Sequence, residues 1–512
     1  MLDESQAIGK LELLGAKVQR DDKLSNGPVI RIDFRASARL SDRFLFLLKS
    51  FPRLTTLHLY GTAITDSGLG KLRELKALTT LTLGETSITD EGLKEIGELA
   101  GLISLGLGNA PITDLGLKEI GRLKHLKSLY LAETAITDEG LKEIRELVDL
   151  TNLDLQHTEV ESVGSLAGFK NLTSLTLNNT PLTDDGLKGL SELENLTTVG
   201  LSYTQITDTG LKALSGLKRL RVLDLRGTQV TDAAFLEGLK DLNVLYLDNS
   251  AATDAGLKQV GRLTNLRALL AGNTPIKDAG LQELGNLTRL QTLGLSDTRI
   301  TDTGLKALSG LSSVTSLGLG GTDITDTGLK ELGGFTNLKS LDLQNTKITD
   351  AGLKGLASLT NLTTLYLQFT QITGAGIKDL QGLENLTALL LSDTPITDEG
   401  LKGLSGLKSL KSLALGRTEI TDAGLKEISG LVNLTSLRLF DNQITDAGVK
   451  QIMGLKNLTT LYLGGTQITD AGLKDLETLK NLTQLFLRNT PGITDAGLKH
   501  LQDSLPNAQI TR

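Results

Sequence analysis

A segment of 24 residues recurs from end to end of this chain, and this repetition constrains the fold more than any other feature. Aligned on leucine, nineteen clear copies begin between Leu54 and Leu482. The copies at Leu150 and Leu220 have only 22 residues, and a divergent twentieth copy precedes the series in residues 29–51. A chain of 512 residues with one short period is an array of small units, because a single globular core rarely grows so large.

The copy that begins at Leu458 reads "LTTLYLGGTQITDAGLKDLETLKN" and shows the content of each unit. Leu461 and Leu463 are two residues apart, which predicts a short strand with both leucines on one face. Leucines spaced three apart across 473–479 predict one face of a short helix. Each unit is therefore a strand, a turn and a helix, and it cannot bury its own leucines without neighbours on both sides.

Stacking of such units has a geometric consequence. Neighbouring strands pack about 4.8 Å apart, whereas neighbouring helices need about 8–10 Å. The helix layer must therefore lie outside, and the parallel sheet must line the concave side of a curved stack. The spacing mismatch predicts a bend of roughly 15–20° per unit.

The pattern L-x-x-L-x-L, followed by T-x-I-T-D-x-G-L-K, resembles the leucine-rich repeat family. The copies look most like bacterial 24-residue repeats of this type, and they are similar to the repeats of ribonuclease inhibitor and of F-box substrate receptors. The resemblance implies an α/β leucine-rich repeat solenoid of about 20 repeats: a curved horseshoe with a parallel sheet on the concave face and short helices on the convex face. The family's turn asparagine is Thr in sixteen of nineteen copies, and Asn442 alone retains it. Since Thr has only one hydroxyl, part of the backbone hydrogen bonding must come from elsewhere.

The ends of the chain predict caps. Residues 1–28 form an expected N-terminal cap, residues 29–504 the solenoid and residues 505–512 a C-terminal cap. Open repeat ends expose leucines and sheet edges, so the chain needs such covers to stay soluble.

Three recurring residues have structural explanations. The Asp of "ITD", as in Asp326, is expected to be the N-cap of its helix and not a metal ligand, since Ca²⁺ needs six to eight oxygen ligands. The Gly of "GLK" is expected to allow close approach of neighbouring turns. The Asn of "NLT", as in Asn361, is expected to shape a turn, although it formally matches a glycosylation acceptor.

The two 22-residue copies are expected to have shorter or irregular helical segments.

Composition excludes several classes of function. The chain has no cysteine, which rules out disulfides, thiolate metal sites and a cysteine nucleophile. A net charge of −7 gives no basic face for nucleic acid, and no apolar run is long enough to span a membrane. The four histidines form no catalytic arrangement with Ser and Asp in neighbouring units. We therefore expect a protein that is not an enzyme, with no cofactor and no metal. The first residues lack a signal peptide, which favours the cytoplasm, with a removed export signal left open.

Large side chains gather at the outward strand positions, which are the third, fifth, seventh and eighth residues counted from the first leucine of each copy. All six tyrosines lie there, and the core requires none of them. Aromatic residues with interleaved arginines are typical of interface centres. The predicted binding residues are Tyr366, Phe369, Leu390, Arg417, Arg438, Phe440, Tyr462, Phe486 and Arg488, with Tyr246, Tyr203, Tyr130 and Tyr60 in earlier copies.

These positions predict a monomeric scaffold that binds a protein or peptide on its concave sheet. Two alternatives stay open. The chain could be the recognition subunit of a larger effector or ligase system, although it shows no docking segment outside the repeats. It could also be a structural or surface protein without a discrete ligand, which the Thr- and Gly-rich outward positions of several copies favour.

Overall fold

A computed structural model describes residues 3–23 and 27–512. Its contacts divide the chain into two compact units, residues 1–251 and residues 252–512. In both units nearly every repeat contributes a three-residue strand and a short α- or 3-10 helix. The α/β leucine-rich repeat solenoid predicted from the sequence is confirmed.

The first unit contains a sheet whose strands pair in chain order. Its first two strands are antiparallel, and every later pair is parallel. The strands are β1 (Lys17–Arg20), β2 (Val29–Asp33), β3 (Thr56–His58), β4 (Thr80–Thr82), β5 (Ser104–Gly106), β6 (Ser128–Tyr130), β7 (Asn152–Asp154), β8 (Ser174–Thr176), β9 (Thr198–Gly200), β10 (Val222–Asp224) and β11 (Val244–Tyr246).

The helices of this unit are short. The α-helices are α1 (Glu4–Leu13), α2 (Asp66–Leu69), α3 (Asp90–Ile96), α4 (Asp114–Ile120) and α5 (Asp138–Glu143). The 3-10 helices are Asp42–Ser50, Gly70–Glu74, Gly164–Gly168, Asp185–Glu192, Gly210–Leu214 and Ala234–Gly238. Helix α1 and strand β1 belong to the predicted N-terminal cap, of which residues 1, 2 and 24–26 lie outside the described residues.

The second unit contains an all-parallel series of strands. They are β12 (Ala268–Leu270), β13 (Thr292–Gly294), β14 (Ser316–Gly318), β15 (Ser340–Asp342), β16 (Thr364–Tyr366), β17 (Ala388–Leu390), β18 (Ser412–Ala414), β19 (Ser436–Arg438), β20 (Thr460–Tyr462), β21 (Gln484–Phe486) and β22 (Gln509–Thr511). Strand β22 lies in the predicted C-terminal cap and adds itself to β21.

The helices of the second unit follow the same plan. The α-helices are α6 (Asp254–Val260), α7 (Asp278–Leu281), α8 (Asp302–Ala307), α9 (Asp326–Leu329), α10 (Asp422–Ile428), α11 (Asp446–Ile452), α12 (Asp470–Leu476) and α13 (Asp495–Ser504). The 3-10 helices are Leu284–Asn286, Lys330–Gly334, Asp350–Leu356, Ile377–Leu380 and Gly400–Gly406. Within the described residues, no helix combines the length and the apolar character that crossing a bilayer requires.

Strand register places the central leucines of neighbouring strands side by side in the core of each unit. The middle residue of β16, Leu365, pairs with Leu341 on one side and Leu389 on the other, and all three are fully buried. The residues that flank each central leucine lie on the opposite face and are largely half-buried or exposed. Because side chains alternate along each strand, one face of the sheet does not contribute to the leucine core.

The prediction that Asp is the helix N-cap is wrong. The N-cap is the preceding Thr, as in Thr469, whose hydroxyl accepts a hydrogen bond from the backbone N–H of Ala471 at 3.2 Å. Asp446 instead uses its carboxylate to join two repeats, because Oδ1 accepts from the N–H of Thr469 at 2.8 Å and Oδ2 from its hydroxyl at 2.7 Å. The same bridge recurs from Asp326 to Thr349. The recurrent Asp is a link between neighbouring repeats.

The Gly of "GLK" is explained by this bridge. A Cβ atom on Gly472 would meet the Asp446 carboxylate of the preceding repeat, and a Cβ on Gly92 would meet that of Asp66. The prediction that this glycine allows close approach of neighbouring turns is confirmed.

Two further ladders replace the asparagine ladder of the family. The Asn361 side-chain amide donates to the carbonyl of Thr336 at 2.8 Å, and the Thr363 hydroxyl donates to the carbonyl of Lys339 at 2.9 Å. Both acceptors lie in the preceding repeat. The "NLT" asparagine therefore links neighbouring repeats, whereas the sequence had predicted that it shapes a turn within its own repeat.

Asn442 shows what the family residue does in its one remaining copy. Its amide donates to the carbonyls of Leu415 and Leu439 at 2.7 and 3.1 Å, and its oxygen accepts from the N–H of Thr418 at 3.0 Å. A turn threonine such as Thr466 reaches only the carbonyl of Leu463 in its own repeat. Asn442 therefore bridges two repeats where Thr serves one.

The two 22-residue copies have short helical segments, as predicted. Each carries a five-residue 3-10 helix, Gly164–Gly168 in one and Ala234–Gly238 in the other. The second helix follows Ala233 in the left-handed region at φ 52°.

Candidate functional site

We call the face of the sheet opposite the leucine core the open face. It is built by the third, fifth, seventh and eighth residues of each repeat, counted from the first leucine. All the predicted binding residues lie on it, nine in the second unit and four in the first.

In the second unit, the fifth positions form one line of directly paired residues. Tyr366 pairs with Asp342 and with Leu390, which pairs in turn with Ala414. The line continues through Arg438, Tyr462 and Phe486 to Thr511. The sheet thus brings apolar, aromatic and cationic side chains side by side on adjacent strands.

At the C-terminal end of this line, three side chains stack. The rings of Tyr462 and Phe486 are parallel within 3°, with centroids 4.2 Å apart. The Arg438 guanidinium lies 5.1 Å from the Tyr462 centroid. Because β19 and β21 flank β20, Tyr462 is enclosed between a cation and a ring, and only its edge faces outward. Part of the surface of each ring is therefore covered by the other ring.

A pocket of about 440 Å³ opens next to this stack. Phe440, Tyr462 and Phe486 supply apolar lining, and Arg488 and Asp441 supply charge. The Phe440 ring lies over Gly416, where a Cβ atom would collide with it. The Phe440 ring can therefore lie here only because residue 416 of the neighbouring repeat has no side chain.

Arg417 is the one predicted arginine that carboxylates hold. Its Nε donates to Asp441 Oδ2 at 3.1 Å, its Nη1 lies 3.6 Å from Asp393 Oδ1, and its Cζ lies 5.6 Å from the Phe440 ring centre. The hydrogen bond that Arg417 donates to Asp441, together with the charge of Asp393, raises the pKa of Arg417. Arg438 and Arg488, by contrast, form no ion pair with any described residue.

The eighth position of the repeat has a special backbone. From Gly61 to Asn489 its residues have positive φ, a conformation that favours Gly, Asn and Asp. Phe369 occupies this position at φ 57° and is 56% exposed. A bulky residue with φ in this range is a genuine outlier, costing on the order of 1–2 kcal/mol. Neither the backbone nor the core calls for an aromatic ring at this place.

Phe369 lines a second pocket, of about 390 Å³, with Gln344, Asn345, Gly321 and Asp297. Asp342 lies close by on β15, and burial, reinforced by the charge of Asp297, raises its pKa against the opposing hydrogen bond from Gln344. The charged side chains that border the Phe369 pocket are therefore acidic, whereas the pocket at Phe486 is bordered by both an arginine, Arg488, and an aspartate, Asp441.

The four tyrosines of the first unit have different neighbours. Tyr60 is hydrogen-bonded to Glu85, which raises its pKa, and Tyr130 is exposed on β6. Tyr203 has φ 55°, and its ring lies over Gly227. The Arg226 guanidinium lies over the Tyr246 ring, with its Cζ 5.3 Å from the ring centroid. They lie on the open face as predicted, but they form separate contacts.

Sequence reasoning missed the glycines and amides that complete these sites. Gly416 beneath Phe440, and Gln344 with Asn345 beside Phe369, have no unusual chemistry of their own. A signal for the second group was present, since Gly, Asn and Asp dominate the eighth position and mark a left-handed backbone. In the described part of the chain, no three His, Asp or Glu side chains are grouped to hold a metal ion.

Stacked strand-and-helix units with one buried leucine per strand define a solenoid repeat protein. The chain belongs to the leucine-rich repeat family. Family models described as leucine-rich repeat region, leucine rich repeats (2 copies) and leucine rich repeat match residues 105–245, 286–309, 310–333, 336–385, 384–444, 432–475 and 456–502.

Two solved structures illustrate the similarity. A leucine-rich repeat protein of Leptospira interrogans is 25% identical, with a TM-score of 0.54 over 87% of this chain and 98% of that protein. An internalin (inlF) from Listeria monocytogenes is 28% identical, with a TM-score of 0.53 over 62% of this chain and 87% of that protein. No curated protein matches the sequence. Solenoids of this kind widely serve as protein-binding scaffolds.

Proposed function

We propose that the chain is a non-enzymatic scaffold that binds a protein or peptide on the open face of its second unit, along strands β15–β22. The observation that carries this proposal is Phe369. Its ring is more than half exposed, and it stands where the backbone favours Gly, Asn or Asp. Strained positions of this kind are concentrated at functional sites, where the surrounding fold tolerates their cost.

The neighbouring side chains fit the same role. Exposed aromatic rings dominate binding energy in protein interfaces because they offer a large rigid contact area. Phe369 and the pocket at Phe486 lie on the same series of parallel strands, so an extended partner could reach both. The two pockets differ in charge, which would fix the direction in which such a partner lies.

Affinity capture from an extract of the source cells tests the proposal. The wild-type chain is compared with Phe369→Asn, which restores a residue suited to the backbone, and with Asn109→Gly, a matched change at the same repeat position in the first unit. Lys330→Ala on the helical side is the second control. We expect a captured protein whose affinity falls by about 2 kcal/mol in Phe369→Asn and is unchanged in Lys330→Ala. Equal capture by all variants would reject the site.

A structural role is the second candidate, and one observation favours it. Tyr462 and Phe486 cover one another, as they would if their task were to stabilise the last repeats. In that case Tyr462→Ala would lower the unfolding midpoint without changing capture of any partner. The third reading, a recognition subunit of a larger effector or ligase system, would be supported if the captured protein carried a catalytic domain.

A further inference from the structure

The arginines around the Phe486 pocket are unequal, and this inequality points to the chemistry of the ligand. Arg417 is held between Asp393 and Asp441. Arg488 lines the pocket together with Asp441, and Arg438 lies over the Tyr462 ring beside it, yet among the described residues neither arginine forms an ion pair. Three guanidinium groups thus face two carboxylates, and the two carboxylates are both engaged by the same arginine.

The geometry of the rings restricts which class of ligand the pocket can bind. A sugar or a nucleobase binds an aromatic side chain through the flat face of the ring. Tyr462 has no free face, because Arg438 covers one side and Phe486 the other. The pocket offers the edge of Tyr462, the rings of Phe486 and Phe440 and about 440 Å³ of space, which suits an apolar side chain inserted between them.

We propose that this pocket takes a large apolar side chain from an acidic peptide segment of a partner protein, whose carboxylates are bound by Arg488 and Arg438. This inference rests on the proposed function and names the partner chemistry for the same face. Guanidinium pairs well with carboxylate through charge-assisted hydrogen bonds. A dianionic phosphate fits less well, because Asp441 also lines the pocket.

The arrangement assigns separate roles to the two kinds of residue. Phe440 and Phe486 give affinity by removing an apolar side chain from water. Arg488 gives specificity, because an unmatched guanidinium favours partners that bring a carboxylate and disfavours basic ones.

A display library of short random peptides, selected on the immobilised full chain, tests the inference. We expect enriched peptides that carry Phe, Leu, Ile or Trp within a few residues of Asp or Glu. The most enriched sequence is then synthesised, and its Kd is measured with the wild type and with Arg488→Gln, which preserves length and removes charge. We expect Kd to rise about tenfold or more in Arg488→Gln and to rise with added salt. Lys330→Gln, which makes the same charge change on the helical side, should bind as the wild type does.

The outcomes separate this inference from the proposed function. Enriched peptides that lose affinity in Phe369→Asn or Phe486→Leu, but not in Arg488→Gln, would leave the binding face in place and overturn the acidic ligand. Enriched peptides rich in Lys or Arg, or strong enrichment only of phosphorylated sequences, would overturn it as well. If no peptide is enriched, or if none responds to changes on the open face, both proposals fail.

Discussion

The Asp446 carboxylate occupies the space that a Cβ atom on Gly472 would need, although the two residues belong to neighbouring repeats. Asp446 is held there by the N–H and the hydroxyl of Thr469. Three residue types of the repeat are therefore parts of one contact, which explains why Thr, Asp and Gly recur together in "TDAG". A change in any of them should be felt by the other two.

We expect Asp446→Ala to lower the free energy of unfolding by about 2 kcal/mol, because it removes two hydrogen bonds to an ionised carboxylate and leaves the Thr469 N–H unpaired. Gly472→Ala should cost a similar amount, about 1–3 kcal/mol, by overpacking. Urea denaturation followed by circular dichroism measures both.

The double variant is the decisive control. Once the carboxylate is gone, the new Cβ at 472 has room, so the two costs should not add. Full additivity would show that the glycine is required for some other reason.

The repeat that carries Phe369 depends on an aspartate with more partners than usual. Asp350 accepts hydrogen bonds from the N–H groups of Thr373, Gly374 and Gly376 and from the Thr373 hydroxyl. Burial alone would raise the pKa of Asp350, but these four bonds outweigh it and the pKa is lowered. Such a group stabilises the fold fully above the unfolded pKa of about 3.9 and loses that contribution as pH falls through the lower folded value.

Asp350→Asn should therefore cost about 1–3 kcal/mol at neutral pH, and the difference from wild type should shrink below about pH 4. Denaturation midpoints measured from pH 7 to pH 2 give the comparison. The exposed Asp503→Asn is the control and should follow the wild-type curve. A difference that stayed constant across this range would mean that the charge of Asp350 is not what stabilises the repeat.

Asn442 provides a graded test of the turn. Asn442→Thr keeps the bond to the Leu439 carbonyl that Thr466 makes to Leu463, but it loses the links to Leu415 and Thr418. We expect a cost of about 1 kcal/mol for Thr and a larger cost for Ala, which keeps neither. Equal costs would show that the bond within the repeat contributes nothing.

Much of the fold could be predicted because the spacing of the leucines within each repeat differs between strand and helix. The spacing of two at Leu461 and Leu463 identified the strand, and the spacing of three across 473–479 identified the helix. The prediction for Asp failed because a local rule, capping, was applied to a residue whose partners lie in the next repeat. Sequence distance hid a contact that stacking creates.

The candidate site was predictable only in outline. Strand alternation placed Tyr366 and Tyr462 on the open face, and the pairings agree. Which rings would cover each other could not be read from the sequence, because Tyr462 and Phe486 stack while Phe369 stays exposed. That difference depends on side-chain direction and on the left-handed backbone at 369.

The stack predicts a measurable coupling. Tyr462→Leu and Phe486→Leu should each reduce stability, and the double variant should lose less than their sum by about 0.5–1.5 kcal/mol. Tyr366 and Phe486 lie several strands apart and should behave additively in the same measurement. Absence of coupling between 462 and 486 would mean that the rings do not stabilise each other and would return them to the set of free contact residues.

Phe369 gives the sharpest test, because function and stability should change in opposite directions. Phe369→Asn replaces an aromatic residue at φ 57° by the residue that Asn345 provides at φ 52° one repeat earlier. Relief of the left-handed strain should stabilise the chain by about 1 kcal/mol, while partner capture falls. Phe369→Leu removes the ring but keeps an ill-suited residue, so it should lose capture without gaining stability. If Phe369→Asn is instead destabilised, the ring packs against its neighbours strongly enough to outweigh the strain, and the argument that it is retained for binding loses its basis.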